Sequence, residues 1–158
     1  MVNRNASPVD LVRTLGETTS RVDAIARGLP AEQLRVSVGG WSPNEILWHI
    51  RATADVYGEH IKRILDEDEP RWRHVSPRAR MKKSRYDQLT FHESFAAFAH
   101  QRAELVDQLS ALAPEAWERI ALVRVDKRDQ RLSLHERVWG MANHEEVHCR
   151  QLEEVGGA

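Results

Sequence analysis

The chain has 158 residues, 41% apolar and 30% charged, with a formal net charge of -1; that length supports one domain over residues 1–158 and is too short for two. The near-neutral balance excludes a global electrostatic pull toward nucleic acid or anionic membranes. One cysteine (Cys149), an N-terminus without a signal-like apolar run and no stretch near the roughly 20 apolar residues of a membrane span make the cytoplasm the expected location.

Four helix starts are written into the sequence. A Ser or Thr followed three residues later by an acid satisfies the unpaired N–H groups of a helix start from both ends. The pattern occurs at Ser7–Asp10, Ser42–Glu45, Thr90–Glu93 and Ser133–Glu136, the first two with proline at the first helical position. Apolar residues spaced three and four apart follow each start. Leu11, Leu15, Val22, Ile25 and Leu29 form the first stripe, with Thr18 in its gap, and Ile46, Ile50, Tyr57, Ile61 and Ile64 form the second. Phe91, Phe95, Phe98, Leu105, Leu109 and Leu112 mark the third, and the fourth reads Leu134, Val138, Met141, Glu145, His148, Leu152, Val155. Helices are predicted near 7–29, 42–68, 90–113 and 133–155, and strand character only at Ile120 to Val125. The expected fold is all-α, a four-helix bundle.

Two connections, Pro30 to Gly40 and Pro114 to Gln130, have room for a short helical turn. A third, Arg71 to Arg85, holds seven Lys/Arg and no acid directly after Asp66-Glu67-Asp68-Glu69, and reads as a basic solvated loop. It is too small a footprint for nucleic-acid recognition in a chain of this net charge. Trp41 and Trp48 are expected to pack the start of the second helix, while Trp72, Trp117 and Trp139 offer surfaces for a partner subunit.

In the fourth stripe two polar residues occupy interior positions, and buried polar groups need partners. His144, Glu145 and His148 spell H-E-x-x-H, and histidines four apart on a helix project from one face one turn apart, close enough to share a cation. A metalloprotease would take its third ligand from downstream, but only ten residues follow His148, position 151 is Gln and position 154 is Glu. The third ligand is therefore expected upstream, and His49 is the candidate: it neighbours the interior residue Ile50, two turns into the second helix. His60 would sit about 16 Å farther along the same axis at 1.5 Å per residue. With His74, His92, His100 and His135 it reads as a solvated or capping residue.

Adjacent helical residues diverge by about 100°, so Glu145 and His144 cannot both aim at one ion. Glu145 is a candidate general base or, with Glu45 and Gln151, a residue orienting a ligand imidazole. Cys149, turned away from the cluster, reads as a packing residue.

The run Gly39-Gly40-Trp41-Ser42, Glu45, His49-Ile50, the Arg102 and Leu105 pair, and the final His144, His148, Gln151 resemble the DinB-like, damage-inducible-type superfamily of metal-dependent four-helix bundles over nearly the whole chain. The resemblance implies an up-up-down-down bundle, often a homodimer, holding a divalent metal on His49, His144 and His148. Characterised branches of that family are transferases and isomerases using low-molecular-weight thiols such as bacillithiol or mycothiol. The implied activity is metal-dependent thiol transfer, with Zn²⁺, Ni²⁺ or Fe²⁺ as cofactor and a small thiol and an electrophile as partners. A metal-dependent hydrolase and a non-catalytic metal-binding stress-response module are the alternatives. Carboxylates on such a thiol would find cations in Arg71 to Arg85 if that segment folds over the site.

Overall fold

The computed structural model describes residues 1–37 and 40–156; Gly39 of the Gly-Gly-Trp-Ser motif lies outside the described residues. Each of the four start signals caps a helix. The Ser7 hydroxyl accepts from the Asp10 N–H ahead of α1, Pro8–Gly28. Ser42 and Glu45 form a reciprocal capping box at α2, Pro43–Asp66. Thr90 and Glu93 repeat it at Phe91–Ser110. Before Leu134–Gly156, Ser133 and Glu136 exchange the same two bonds, at 2.9 and 3.1 Å. A short helix, Pro77–Ser84, lies between the second and third of these long helices. The helices are therefore α1, α2, α3 (Pro77–Ser84), α4 (Phe91–Ser110) and α5 (Leu134–Gly156).

α1 packs against α4 and α5, and α2 packs against the same two, so the long helices form a ring with α1 diagonal to α2. Their directions follow from cross-contacts. His135 meets the Ala6 carbonyl while Arg21 reaches Glu146 and Glu153, so α1 and α5 run in parallel. Arg51 meets Ser94 and Asp55 meets Gln101, so α2 and α4 are parallel. His49 lies by His144, and Tyr57 by Arg137, so α2 opposes α5. Around the ring, α5, α1, α4 and α2 point up, up, down, down; in chain order the directions are up, down, down, up.

The predicted stripes meet in the interior. Leu11, Leu15, Val22, Ile50, Ile61, Ile64, Phe98, Val138 and Met141 are wholly excluded from solvent. Thr18 fills its gap at 3% exposure. Burying each large aliphatic or aromatic side chain contributes about 1.5–3 kcal/mol. Cys149 joins this core, where burial pushes its thiol up to about 12, so it is an inert packing residue. Among the described residues no helix is long and apolar enough to cross a membrane.

The all-α expectation needs one addition, a small sheet. β2 (Ile120–Val125) is the segment with strand character; it pairs antiparallel with β3 (Arg128–Ser133) through a turn in which Asp126 takes φ 52°. β1 (Arg71–Arg73) adds in parallel on the other side of β2. Neither β1 nor β3 carries an apolar alternation of its own; each borrows its ladder from β2. Thus Arg71 to Arg85 is a strand followed by α3 along α2, rather than a solvated loop.

That strand corrects two further readings. Trp72 stacks on His60 at 4.3 Å between ring centroids, and His60 is 7% exposed, so it is neither solvated nor capping. Burial, and the nearby Arg137, His74, Arg63 and Arg80, lower its imidazole to about 3. The other two tryptophans offered as partner surfaces are also used within the chain. Trp117 is core, and the Trp139 Nε1–H donates to the Val2 carbonyl.

Because His60 takes up a proton near pH 6.5 when unfolded and resists it when folded, protonation favours the unfolded chain. Its penalty is absent above pH 6.5 and grows as pH falls toward 3. Between pH 6.5 and 5 it reaches at most about 2 kcal/mol, at 1.36 kcal/mol per pH unit. Urea titrations of the metal-free protein at pH 7 and pH 5 are expected to show His60→Phe losing about that much less stability than wild type. An equal loss in both would mean His60 does not carry the acid sensitivity.

Candidate metal centre

The second and third turns of α2 and the C-terminal half of α5 face each other, which brings residue 49 beside residues 144 and 148. The Nε2 atoms of His49 and His144 are 3.1 Å apart. One ligand nitrogen from each of His49, His144 and His148 can be chosen so that all three lie within 4.8 Å of one another. Tetrahedral Zn–N bonds of 2.0–2.1 Å place ligand nitrogens roughly 3.3 Å apart, so the His49–His144 spacing fits a shared cation. The donor set, three imidazoles, suits borderline divalent cations.

The imidazoles are conditioned to bind. Burial, with His148 and Arg78 nearby, lowers His49 to about 4. Burial, with His148 and His49 nearby, lowers His144 to about 4, and burial lowers His148 as well. All three are therefore neutral at physiological pH, as ligands must be. The His148 Nδ1 lies 2.7 Å from the Gln151 carbonyl oxygen, which accepts a hydrogen only if Nδ1 carries it. That tautomer leaves Nε2 free for a cation.

The other two residues expected to orient ligands stand elsewhere. Glu45 spends its carboxylate on the Ser42 N–H and hydroxyl, at 2.8 Å each, and the buried His49 Nδ1 has no partner among the described residues. Glu145 is wholly buried in the middle of the bundle, and its Oε1 accepts from Arg102 Nη2 at 2.5 Å. The buried His144 Nδ1 is likewise unpartnered. Neither the general-base role nor the imidazole-orienting role considered for Glu145 has a geometric basis, because its carboxylate points to α4 while His144 points to α2.

The cluster opens into a cavity of 740 Å³ lined by Trp41, His49, Tyr57, Arg78, His144, His148 and Gln151, among others. Trp41 meets His49 edge-on at 4.9 Å and lies nearly parallel to His148 at 6.2 Å. The Arg78 guanidinium sits over the Trp41 ring, 5.2 Å from its centroid. Ser76, Pro77 and Arg78 line this cavity, so the start of α3 forms part of its wall. The seven basic residues of Arg71 to Arg85 were the signal for such a wall; only packing singles out Arg78.

A four-helix bundle with three neutral imidazoles converging at an open cavity has the build of a metal-dependent bundle protein. The chain belongs to the DinB superfamily, whose family model matches residues 14–152. Its fold is similar to that of YfiT from Bacillus subtilis, described as a probable metal-dependent hydrolase with an unusual four-helix bundle topology. That match has a TM-score of 0.77 at 16% identity and covers 98% of this chain and 90% of YfiT. It is also similar to the mycothiol-dependent maleylpyruvate isomerase, with a TM-score of 0.72 at 15% identity over 96% of this chain. A histidine-to-alanine variant of that isomerase gives 0.74 at 15%. The chain spans 63% of the isomerase's length. No curated protein sequence matches it significantly.

Proposed function

We propose that the protein is a metal-dependent enzyme that activates a low-molecular-weight thiol and transfers it to an electrophile, with His49, His144 and His148 holding Zn²⁺, Ni²⁺ or Fe²⁺. The observation that carries this reading is the convergence of the three imidazoles at the wall of a cavity far larger than a water needs. A divalent cation there would supply the Lewis acidity that lowers a thiol's pKa.

The chain's own residues do the rest. Gln151 fixes the His148 tautomer, and Trp41 packs against the rings of His49 and His148. Arg78 holds a positive charge at the cavity wall, where a carboxylate of the thiol or of the electrophile would be received. In the reaction the thiol gives its proton to solvent, its sulfur bonds to the electrophilic carbon, and that carbon releases its leaving group or opens its ring. Likeness to the mycothiol-dependent isomerase supports a thiol, and likeness to YfiT supports hydrolysis as the second reading.

Protein reconstituted with Zn²⁺, Ni²⁺ or Fe²⁺ is incubated with a panel of small thiols and an epoxide or aryl chloride, and products are followed by mass spectrometry. The expected result is a conjugate that requires both metal and protein and survives His100→Ala, an exposed histidine outside the cavity. Water-addition products alone would move the assignment to a hydrolase. Tight metal binding with no turnover of either kind would leave a binding module.

A further inference from the structure

We infer that the buried Arg102–Glu145 ion pair is a positioning device that sets the rotation and register of α5, and thereby aims His144 and His148 at His49. The inference rests on the metal-site reading and adds residues outside the cavity.

Arg102 is 2% exposed and Glu145 0%, and they come from α4 and α5, which face each other across the bundle axis. Among the described residues the pair is incompletely satisfied: Arg102 Nη1 is buried without a partner, and beyond Arg102 the Glu145 carboxylate has only the Thr18 hydroxyl near it. Apolar residues of similar volume generally stabilise such a place as well or better, so fold stability does not account for the pair. In some proteins a single buried polar contact sets helix register. The rest of the buried face of α5, Leu134, Val138, Met141, Ala142, Cys149 and Leu152, is apolar and offers no directional contact. Arg21 also ties α5 to α1 through Glu146 and Glu153, but with side chains 30%, 16% and 46% exposed.

Glu145 directly follows His144 and precedes His148 by three residues. At about 100° per residue, pinning Glu145 to the bundle axis fixes both imidazoles toward α2. The tolerance is narrow: a 20° rotation of α5 moves an imidazole nitrogen roughly 6 Å from the helix axis by about 2 Å, a whole metal–ligand bond. A one-residue slip moves it by about 1.5 Å along the axis.

The test is the double variant Arg102→Met/Glu145→Met, with Co²⁺ as probe. It is expected to unfold cooperatively with a melting temperature at or above wild type, yet to bind Co²⁺ at least tenfold more weakly and with altered visible absorption bands. Affinity within twofold of wild type and an unchanged spectrum would overturn the inference. Should the double variant not fold, Glu145→Asp keeps the charge and shortens the reach by one methylene. A shifted Co²⁺ spectrum in that variant supports the inference, and an unchanged one refutes it. Should wild type itself take up no Co²⁺, the metal reading fails, and ring-to-ring NOEs between His49 and His144 in metal-free protein decide the positioning role separately. Their loss in the variant supports it, and their persistence counts against it.

Discussion

Replacing His49 with alanine is expected to weaken divalent metal binding by more than about 100-fold while leaving the protein folded. Loss of a residue that merely orients a ligand costs roughly 10–100-fold, and loss of a ligand itself should exceed that. His49 is the one member of the cluster contributed by α2; without it two imidazoles remain on α5, a set too small for a three-histidine site. The fold is expected to survive because, among the described residues, His49 makes no side-chain hydrogen bond other than the one to His144. Titration with Zn²⁺ against a chromophoric competitor, alongside circular dichroism, checks both halves. His100→Ala serves as the control, its side chain 77% exposed. A His49→Ala protein that binds as wild type does would remove the site from α2 and with it the proposed chemistry.

Arg102→Met alone is expected to destabilise the protein by about 3–5 kcal/mol, because it leaves the Glu145 carboxylate buried without a countercharge. For a domain of this size that lowers the melting temperature by roughly 6–20 °C. Burial already raises the Glu145 carboxyl above its ordinary range, and Arg102 is the charge that opposes the rise. Without Arg102, Glu145 is expected to stay protonated to a higher pH. Its folded-state pKa then lies further above the unfolded value, so the variant's deficit grows as pH rises through the carboxylate range and levels off above the folded pKa. Chemical denaturation at pH 5 and pH 8 measures the sign. A deficit under 1 kcal/mol at both would show that solvent or another group reaches Glu145 once Arg102 is gone. The double replacement with Met removes both charges and is expected to recover the whole loss, which separates a broken pair from lost packing.

The two variants act on different properties of one helix, and that division reflects how α5 is built. One face carries His144, His148 and Gln151 toward the cavity, and the face about 100° away carries Glu145 into the bundle centre. H-E-x-x-H therefore has a different meaning here from the one it has in a protease. Its glutamate belongs to the core and its histidines line the cavity.

The helix boundaries and the candidate ligands were legible from local chemistry. Caps at Ser7, Ser42, Thr90 and Ser133 and stripes at helical spacing depend only on neighbours within a few residues, so the four long helices appear within three residues of where spacing puts them. His49 was reachable as a candidate because it neighbours the interior residue Ile50 and stands upstream of the paired histidines. The roles of Glu45, Glu145, His60 and Arg78 were not legible, and the reasons differ. Glu45 is a capping residue by its spacing from Ser42, and that same spacing places it one turn before His49, so sequence alone leaves both uses open. His60 became a buried ring only because β1 lays Trp72 over it, and β1 exists only because β2 offers it an edge.

Sequence alone thus settles where the four long helices run and which imidazoles are available, since caps and periodicity are short-range and act within a few residues. Which polar groups face the cavity and which are locked in the core is a long-range matter. The pairing of Arg102 with Glu145 spans 43 positions, and the meeting of His49 with His144 spans 95. Contacts across such separations form only when whole helices pack, so the split between site and scaffold is set by the arrangement of α2, α4 and α5 around the bundle axis.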